Sequence, residues 1–315
     1  MKRIQKRGSV CAVVVTYNRK KLLLRCLTKI LQQTYKVSRI FVIDNCSSDG
    51  SKEFIENELP EVFNDKFLNF VWIRLENNMG GAGGFFRGVV EFSKSNEEFV
   101  WLMDDDGYPE STCLEMLMET ASEIDFISPL VLSEENKINL AFPIRVPRSL
   151  KNYDSIADLP TNCKKIANCV LPFNGTLIGR KVIEGIGAPD PKFFIWGDEV
   201  DYTERARRWG ANICIYCSSL YYHPKPAIQG RPMMFKLLRF NDTSSRLKLY
   251  CYCRNNFANK IKYSSIIFAV LFATKALWFY SFTVPSFSKL KVVIKALYHG
   301  SIRDFNHHVT YLKSK

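Results

Sequence analysis

The sequence predicts an α/β fold, with a mostly parallel sheet flanked by helices and a C-terminal helical tail that associates with membrane. Three observations carry this expectation. Short β-branched apolar runs alternate with stretches of helical periodicity, each run ends in a polar or acidic loop, and charge changes abruptly after residue 228.

Residues 10–15, Val-Cys-Ala-Val-Val-Val, have the pattern of a strand buried on both faces. Leu22, Leu23, Leu27, Ile30 and Leu31 then recur at helical spacing over 20–33. Residues 40–43 repeat the strand pattern and end in Asp44-Asn45, and the polar run 45–50 leads into a helix over 51–58. Residues 70–73 read as a third strand and 99–103 as a fourth, ending in Asp104, Asp105 and Asp106. Strands alternating with helices argue for a parallel sheet, and such sheets bind ligands beyond the C-terminal strand ends. Residues 133–170, with Pro143, Pro147 and Pro160, read as an irregular excursion before 173–179. A helix over 200–210 and a strand over 213–216 follow, and the domain closes near Tyr222-His223-Pro224.

Residues 1–228 hold 29 Lys/Arg and 29 Asp/Glu, whereas 229–315 hold 15 and 2, so the formal excess of +13 lies in the tail. The expected division is 1–228 as the α/β domain and 229–315 as a basic, aromatic-rich tail whose charge calls for an anionic partner. Within the tail, 266–282 is apolar but carries Lys275, which is borderline for a membrane-crossing helix. Trp278, Tyr280 and the flanking lysines suit a helix lying in the interface of an anionic membrane, because a lysine at mid-membrane is costly. A nucleic-acid-binding protein would also explain a basic tail. It would not explain two acidic clusters on a neutral domain, so no nucleic-acid partner is expected. The ten scattered cysteines in apolar contexts read as free thiols of a reducing cytosol. The basic start is followed by an apolar run too short for a signal peptide.

Three adjacent carboxylates at a strand end repel one another unless a cation neutralises them. Alternate residues of an extended segment point the same way. Asp104 and Asp106 can therefore share a divalent ion while Asp105 faces elsewhere; the alternative is a solvated acidic turn before Pro109. Residues 78–84 hold four glycines in seven. There Asn78, Gly81 and Gly84 would form a pocket wall whose backbone amides meet phosphate, or else a flexible turn. Arg87, one helical turn onward, either reaches into that pocket or stays at the surface. Asp198, Glu199 and Asp201 either supply a general base or enrich a helix N-terminus in acids. Trp196 either lines a ligand site or packs under its loop.

The order Val-Val-Val-Thr16-Tyr17-Asn18-Arg19, Asp44-Asn45-x-Ser47-x-Asp49-Gly50, Asn78-Met79-Gly80-Gly81-Ala82-Gly83-Gly84-Phe85 and Met103-Asp104-Asp105-Asp106 resembles family 2 glycosyltransferases. Together with Phe194-Ile195-Trp196-Gly197-Asp198-Glu199-Val200-Asp201-Tyr202, it is most similar to the galactofuranosyltransferase and rhamnosyltransferase branch, over roughly 9–225. The resemblance implies a GT-A, Rossmann-like fold and an inverting, metal-dependent transferase using a nucleotide-sugar donor. Thr16, Asn18 and Asp44 would line the uridine end, with Asp105 also on the donor side. Asp104, Asp106 and His223 would hold Mn2+ or Mg2+. Glu199 would be the base, with Asp198 as the alternative because many relatives have aspartate at this place. The implied donor is UDP-galactofuranose, with dTDP-rhamnose as the alternative. The acceptor would be a lipid-linked or polysaccharide glycan, met by an enzyme peripheral to the cytoplasmic face of the cell membrane.

Overall fold

The computed structural model describes residues 8–64, 68–119, 121–145, 152–225 and 230–312. It forms two compact units. One comprises the residues up to Pro189 with Arg205–Lys225; the other comprises Asp190–Glu204 with the described residues after 229.

The first unit begins β1 (Val10–Thr16), α1 (Lys20–Leu31), β2 (Arg39–Asp44), α2 (Ser51–Glu58), α3 (Pro60–Asn64) and β3 (Asn69–Arg74). It continues α4 (Gly80–Ser93), β4 (Phe99–Asp104), β5 (Tyr108–Pro109), α5 (Cys113–Met118) and β6 (Asp125–Ser133). The four apolar runs are thus strands, and they pair in parallel in the order β3-β2-β1-β4. The register sets Thr16 beside Asp44, Val15 beside Asp104 and Asp44 beside Arg74. The polar residues that end these strands therefore share one edge of the sheet. All seven residues of β1 are buried, as a β-branched strand covered on both faces requires. On one face Trp101 is fully buried among Val14, Leu27 and Leu177, and its indole N–H donates to Gly175 O at 2.8 Å.

Beyond β4 the sheet is mixed. β10 (Asn174–Gly179) runs antiparallel to both β4 and β6, whereas β11 (Asn212–His223) runs parallel to β6. The segment 133–170, expected to be irregular, instead supplies β7 (Asn139–Arg145), β8 (Asn152–Ser155) and β9 (Lys165–Ala167) at the sheet's periphery. Pro143 falls where the β7–β8 register slips between Asn139 and Ile144, a place where a missing N–H donor is tolerated. α6 (Arg180–Ile186) follows β10. All ten cysteines are free, including Cys163 and Cys217, whose sulfurs lie 3.3 Å apart.

The second unit contains the first part of α7 (Asp198–Trp209), a hairpin of β12 (Gly230–Met233) and β13 (Leu238–Asn241), α8 (Arg246–Asn259), α9 (Ile266–Trp278), α10 (Phe287–Ser301) and the short α11 (Val309–Leu312). Ser245, Ser265 and Ser286 cap α8, α9 and α10, each hydroxyl accepting an amide N–H of the first turn. The core joins Phe240, Tyr250, Cys253, Phe272, Phe279, Tyr280 and Val293 with Phe194 from the earlier segment. One face of α9 is left outside it: Ile266, Ile267, Phe268, Val270 and Leu271 are 52–67% exposed. The stretch Ile266–Thr283 is, by length and composition, apolar enough to cross a membrane.

Candidate active site

The sheet edge that collects Thr16, Asp44 and Asp104 also organises the loops that follow them. Asp105 turns inward, 2% exposed, and accepts from the Thr16 hydroxyl at 2.7 Å and from Arg19 at 3.1 Å. The same guanidinium donates to Asp106 Oδ2 at 2.6 Å. Burial pushes the Asp105 carboxyl up to about 6, although Arg19 and Thr16 oppose it. Burial would raise Asp106 too, but His223 and Arg19 outweigh it and hold that carboxyl down to about 2. Two neighbouring acids are thereby pushed apart in acidity, which is characteristic of functional sites.

Asp106 Oδ1 is buried without a hydrogen-bond partner, and His223 Nε2 lies 3.2 Å from it. His223 Nδ1–H donates to Pro224 O at 2.5 Å, which leaves Nε2 as the nitrogen turned to the carboxylate. His223 reaches this place because β11 runs the length of β6 to end at the same sheet edge. Among the described residues no group of three His, Cys, Asp or Glu side chains converges as a metal site. Of the expected trio, Asp106 and His223 come together and Asp104 does not complete a three-ligand set. The two that meet still fit a divalent cation: a buried carboxylate oxygen and an imidazole nitrogen 3.2 Å apart give two adjacent ligands of the kind Mn2+ accepts.

Asp44 is buried at the next strand end, accepting from Ser47 N at 2.8 Å and from Arg74 at 3.2 Å. Asn18 has φ of 55° and its Oδ1 accepts from Ser48 N at 2.7 Å, joining the loops after β1 and β2. The glycine-rich segment is not a loop throughout, for α4 starts at Gly80. Asn78 Oδ1 accepts from Gly80 N at 2.8 Å, and Asn45 holds Met79 N and Gly80 O. Gly81 faces open space, whereas a Cβ at Gly84 would lie 2.4 Å from Val15. The glycine at 84 is thus explained by close approach of α4 to β1. Arg87 pairs with Glu91 one turn on and is 44% exposed, the surface arrangement.

The second acidic group lies in the other unit. Asp198 and Asp201 are 5% and 3% exposed, and Asp201 meets Lys262 at 2.7 Å and the Tyr263 hydroxyl at 2.6 Å. Glu199 is more exposed, and its Oε2 accepts the Gly197 N–H at 2.7 Å. Trp196 packs edge-on to Tyr252 with ring centroids 6.1 Å apart.

Sequence reasoning missed the cations. Arg19 was visible only as the last residue of the Thr-Tyr-Asn-Arg run, and nothing in one dimension marks it as the counter-ion to Asp105 and Asp106. Arg25, which donates to Asp106 O at 3.0 Å, and Arg74 had no signal beyond their charge. Asn45 lay inside a quoted motif without a role.

Comparisons with known proteins agree with this architecture. The galactofuranosyltransferase GlfT1 of Mycolicibacterium smegmatis is 31% identical over 237 residues, covering 70% of this chain and 75% of that protein. A crystal structure of GalNAc-T7 with UDP, GalNAc and Mn2+ superposes with a TM-score of 0.60 at 13% identity, over 97% of this chain and 58% of that one. S. aureus TarS 1–349 in complex with UDP-GlcNAc gives 0.55 at 15% identity, over 97% and 91%. Both structural likenesses establish the GT-A fold. Residues 11–185 match glycosyl transferase family 2, and the chain belongs to that family.

Proposed function

We propose that the protein transfers galactofuranose from UDP-galactofuranose, with inversion, to a lipid-linked or polysaccharide acceptor at the cytoplasmic face of a membrane. The observation that carries the chemistry is the meeting of the buried Asp106 Oδ1 with His223 Nε2, 3.2 Å apart, at the strand-end edge. The likeness to GlfT1 supports the sugar, and the Mn2+ held by the GalNAc-T7 structure supports a divalent cation at Asp106 and His223, with Asp104 close in sequence. A cation bound there would offset charge developing on the leaving nucleoside diphosphate. Thr16, Asn18 and Asp44 line the nucleoside end, with Asp105 fixed beneath by Thr16 and Arg19. Asn78 and the open face at Gly81 border the diphosphate. Glu199 removes the acceptor hydroxyl proton as that oxygen attacks the anomeric carbon, so one base suffices. Its greater exposure than Asp198 and the fixed Oε2 support that choice.

The tail is read as the membrane contact. The exposed face of α9 and a tail with 15 Lys/Arg against 2 Asp/Glu suit an anionic lipid surface, with the helix lying in the interface. Calorimetric titration with UDP and with dTDP, each with and without Mn2+, tests the donor site. Mn2+-dependent UDP binding, lost in Asp106→Ala, is expected. A preference for dTDP would move the donor to rhamnose, and no binding of either nucleotide by folded protein would refute the reading. Sedimentation with phosphatidylglycerol vesicles but not phosphatidylcholine vesicles, reversed by alkaline carbonate, is expected of a surface-bound tail.

A further inference from the structure

The segment just before Glu199 has an unusual backbone. Phe194 and Trp196 adopt φ of 68° and 58°, left-handed values that bulky side chains resist, and Gly197 has φ of 95°. Strain of this kind persists only where surrounding structure over-determines it. What surrounds it, within the same unit, is α8. Arg254, fully buried, donates to Phe193 O at 2.8 Å and to Phe305 O at 2.9 Å, and its Nε donates to Asn255 Oδ1. Asn255, also fully buried, turns its Nδ2 to the carbonyls of Phe193 and Ile195, each at 3.0 Å, and of Trp196. Asn259 donates to Gly197 O at 2.8 Å. A Cβ at Gly197 would lie 2.7 Å from the Asn255 Cβ, so only glycine lets the loop come this close. Four carbonyls within five residues are thus drawn to one helix, and the Gly197 N–H is left to orient Glu199 Oε2.

We propose that Arg254, Asn255 and Asn259 of α8 are positioning residues for Glu199, shaping the 193–197 backbone so that its amide fixes the carboxylate. The proposal rests on reading Glu199 as the base. It gives the C-terminal unit a part in the chemistry that is separate from any contact with lipid. Neutral amides suit this task because the Asn255 NH2 is shared among three carbonyls, Asn259 takes a fourth, and neither adds a charge next to the base. The buried guanidinium anchors Asn255 from behind.

The test uses the full chain, UDP-galactofuranose as donor and a synthetic alkyl galactofuranoside as acceptor. Asn259→Ala and Asn255→Ser should raise amide hydrogen exchange at 193–199. They should also lower kcat by ~100-fold, the scale of a misplacement near 1 Å. The donor KM and UDP affinity should stay near wild type in both, whereas Tm should fall in Asn255→Ser, which strands buried carbonyls, and less in Asn259→Ala. In a Glu199→Gln background, Asn259→Ala should cost nothing further, because its effect runs through the carboxylate. Wild-type kcat in both α8 variants despite raised exchange, or a further loss in the Glu199→Gln background, would overturn the positioning role alone. Full activity in Glu199→Gln would overturn the base assignment, and the proposal with it. Parallel loss of kcat, UDP affinity and Tm would mark α8 as packing only and overturn the proposal.

Discussion

Around Asp105 and Asp106 the fold balances carboxylates with cations, whereas around Asp198 and Glu199 it shapes the backbone with neutral amides and one buried arginine. In the first region Arg19 bridges two acids and His223 approaches the second, so protonation follows from charge and burial together. In the second, Asp201 meets Lys262, and the loop is set through its carbonyls. The difference matches what each must do under the proposed reaction. A donor-side site that meets a diphosphate and a divalent cation has to exchange counter-ions as ligands arrive. A base has to keep its direction toward the acceptor hydroxyl.

The contrast can be broken at four places. Arg254→Ala should be the most damaging, costing about 3–5 kcal/mol, since it empties a fully buried volume and strands the carbonyls of Phe193 and Phe305. Urea unfolding would measure it, and a cost under 1 kcal/mol would show that the second region does not depend on this anchor. Gly84→Ala should cost about 1–3 kcal/mol, because the new methyl meets Val15 beneath the donor-side edge. Thermal melts would detect it. Arg19→Ala should cost only about 1 kcal/mol, because the guanidinium is 47% exposed and solvent screens it. That variant sharpens the comparison most: with Arg19 gone, Mn2+ plus UDP should raise Tm by more than in wild type, because Asp105 and Asp106 then lack their resident cation. An unchanged Mn2+ effect would mean that Arg19 and the metal do not share those carboxylates. Arg87→Ala should be smallest, at most about 0.5 kcal/mol, since the guanidinium is 44% exposed and its partner is the i,i+4 Glu91. A large loss of UDP affinity in that variant would return Arg87 to the donor site.

The four parallel strands, their acidic ends and the helices between them were legible because burial on both faces leaves a local signature: 10–15 and 99–103 are apolar at every position. The strands within 133–170 were not. They lie at the sheet's periphery, half wet and interrupted by prolines, so their sequence carries neither a continuous apolar run nor a clean alternation. In the site, carboxylates were legible because adjacent acids are costly and hence conspicuous, whereas their arginines were hidden among 44 Lys/Arg.

By itself, then, the sequence determined the parallel half of the sheet, the acidic strand ends, the family and the concentration of positive charge after residue 228, all of which rest on local pattern or composition. Tertiary structure decided which side chains meet. Arg19 reaches Asp105 across 86 residues, His223 reaches Asp106 at the end of a strand threaded beside β6, and Asn255 reaches the Glu199 loop from a helix about 60 residues downstream. Such pairings depend on strand order and on chain closure over long loops, and no local preference encodes either.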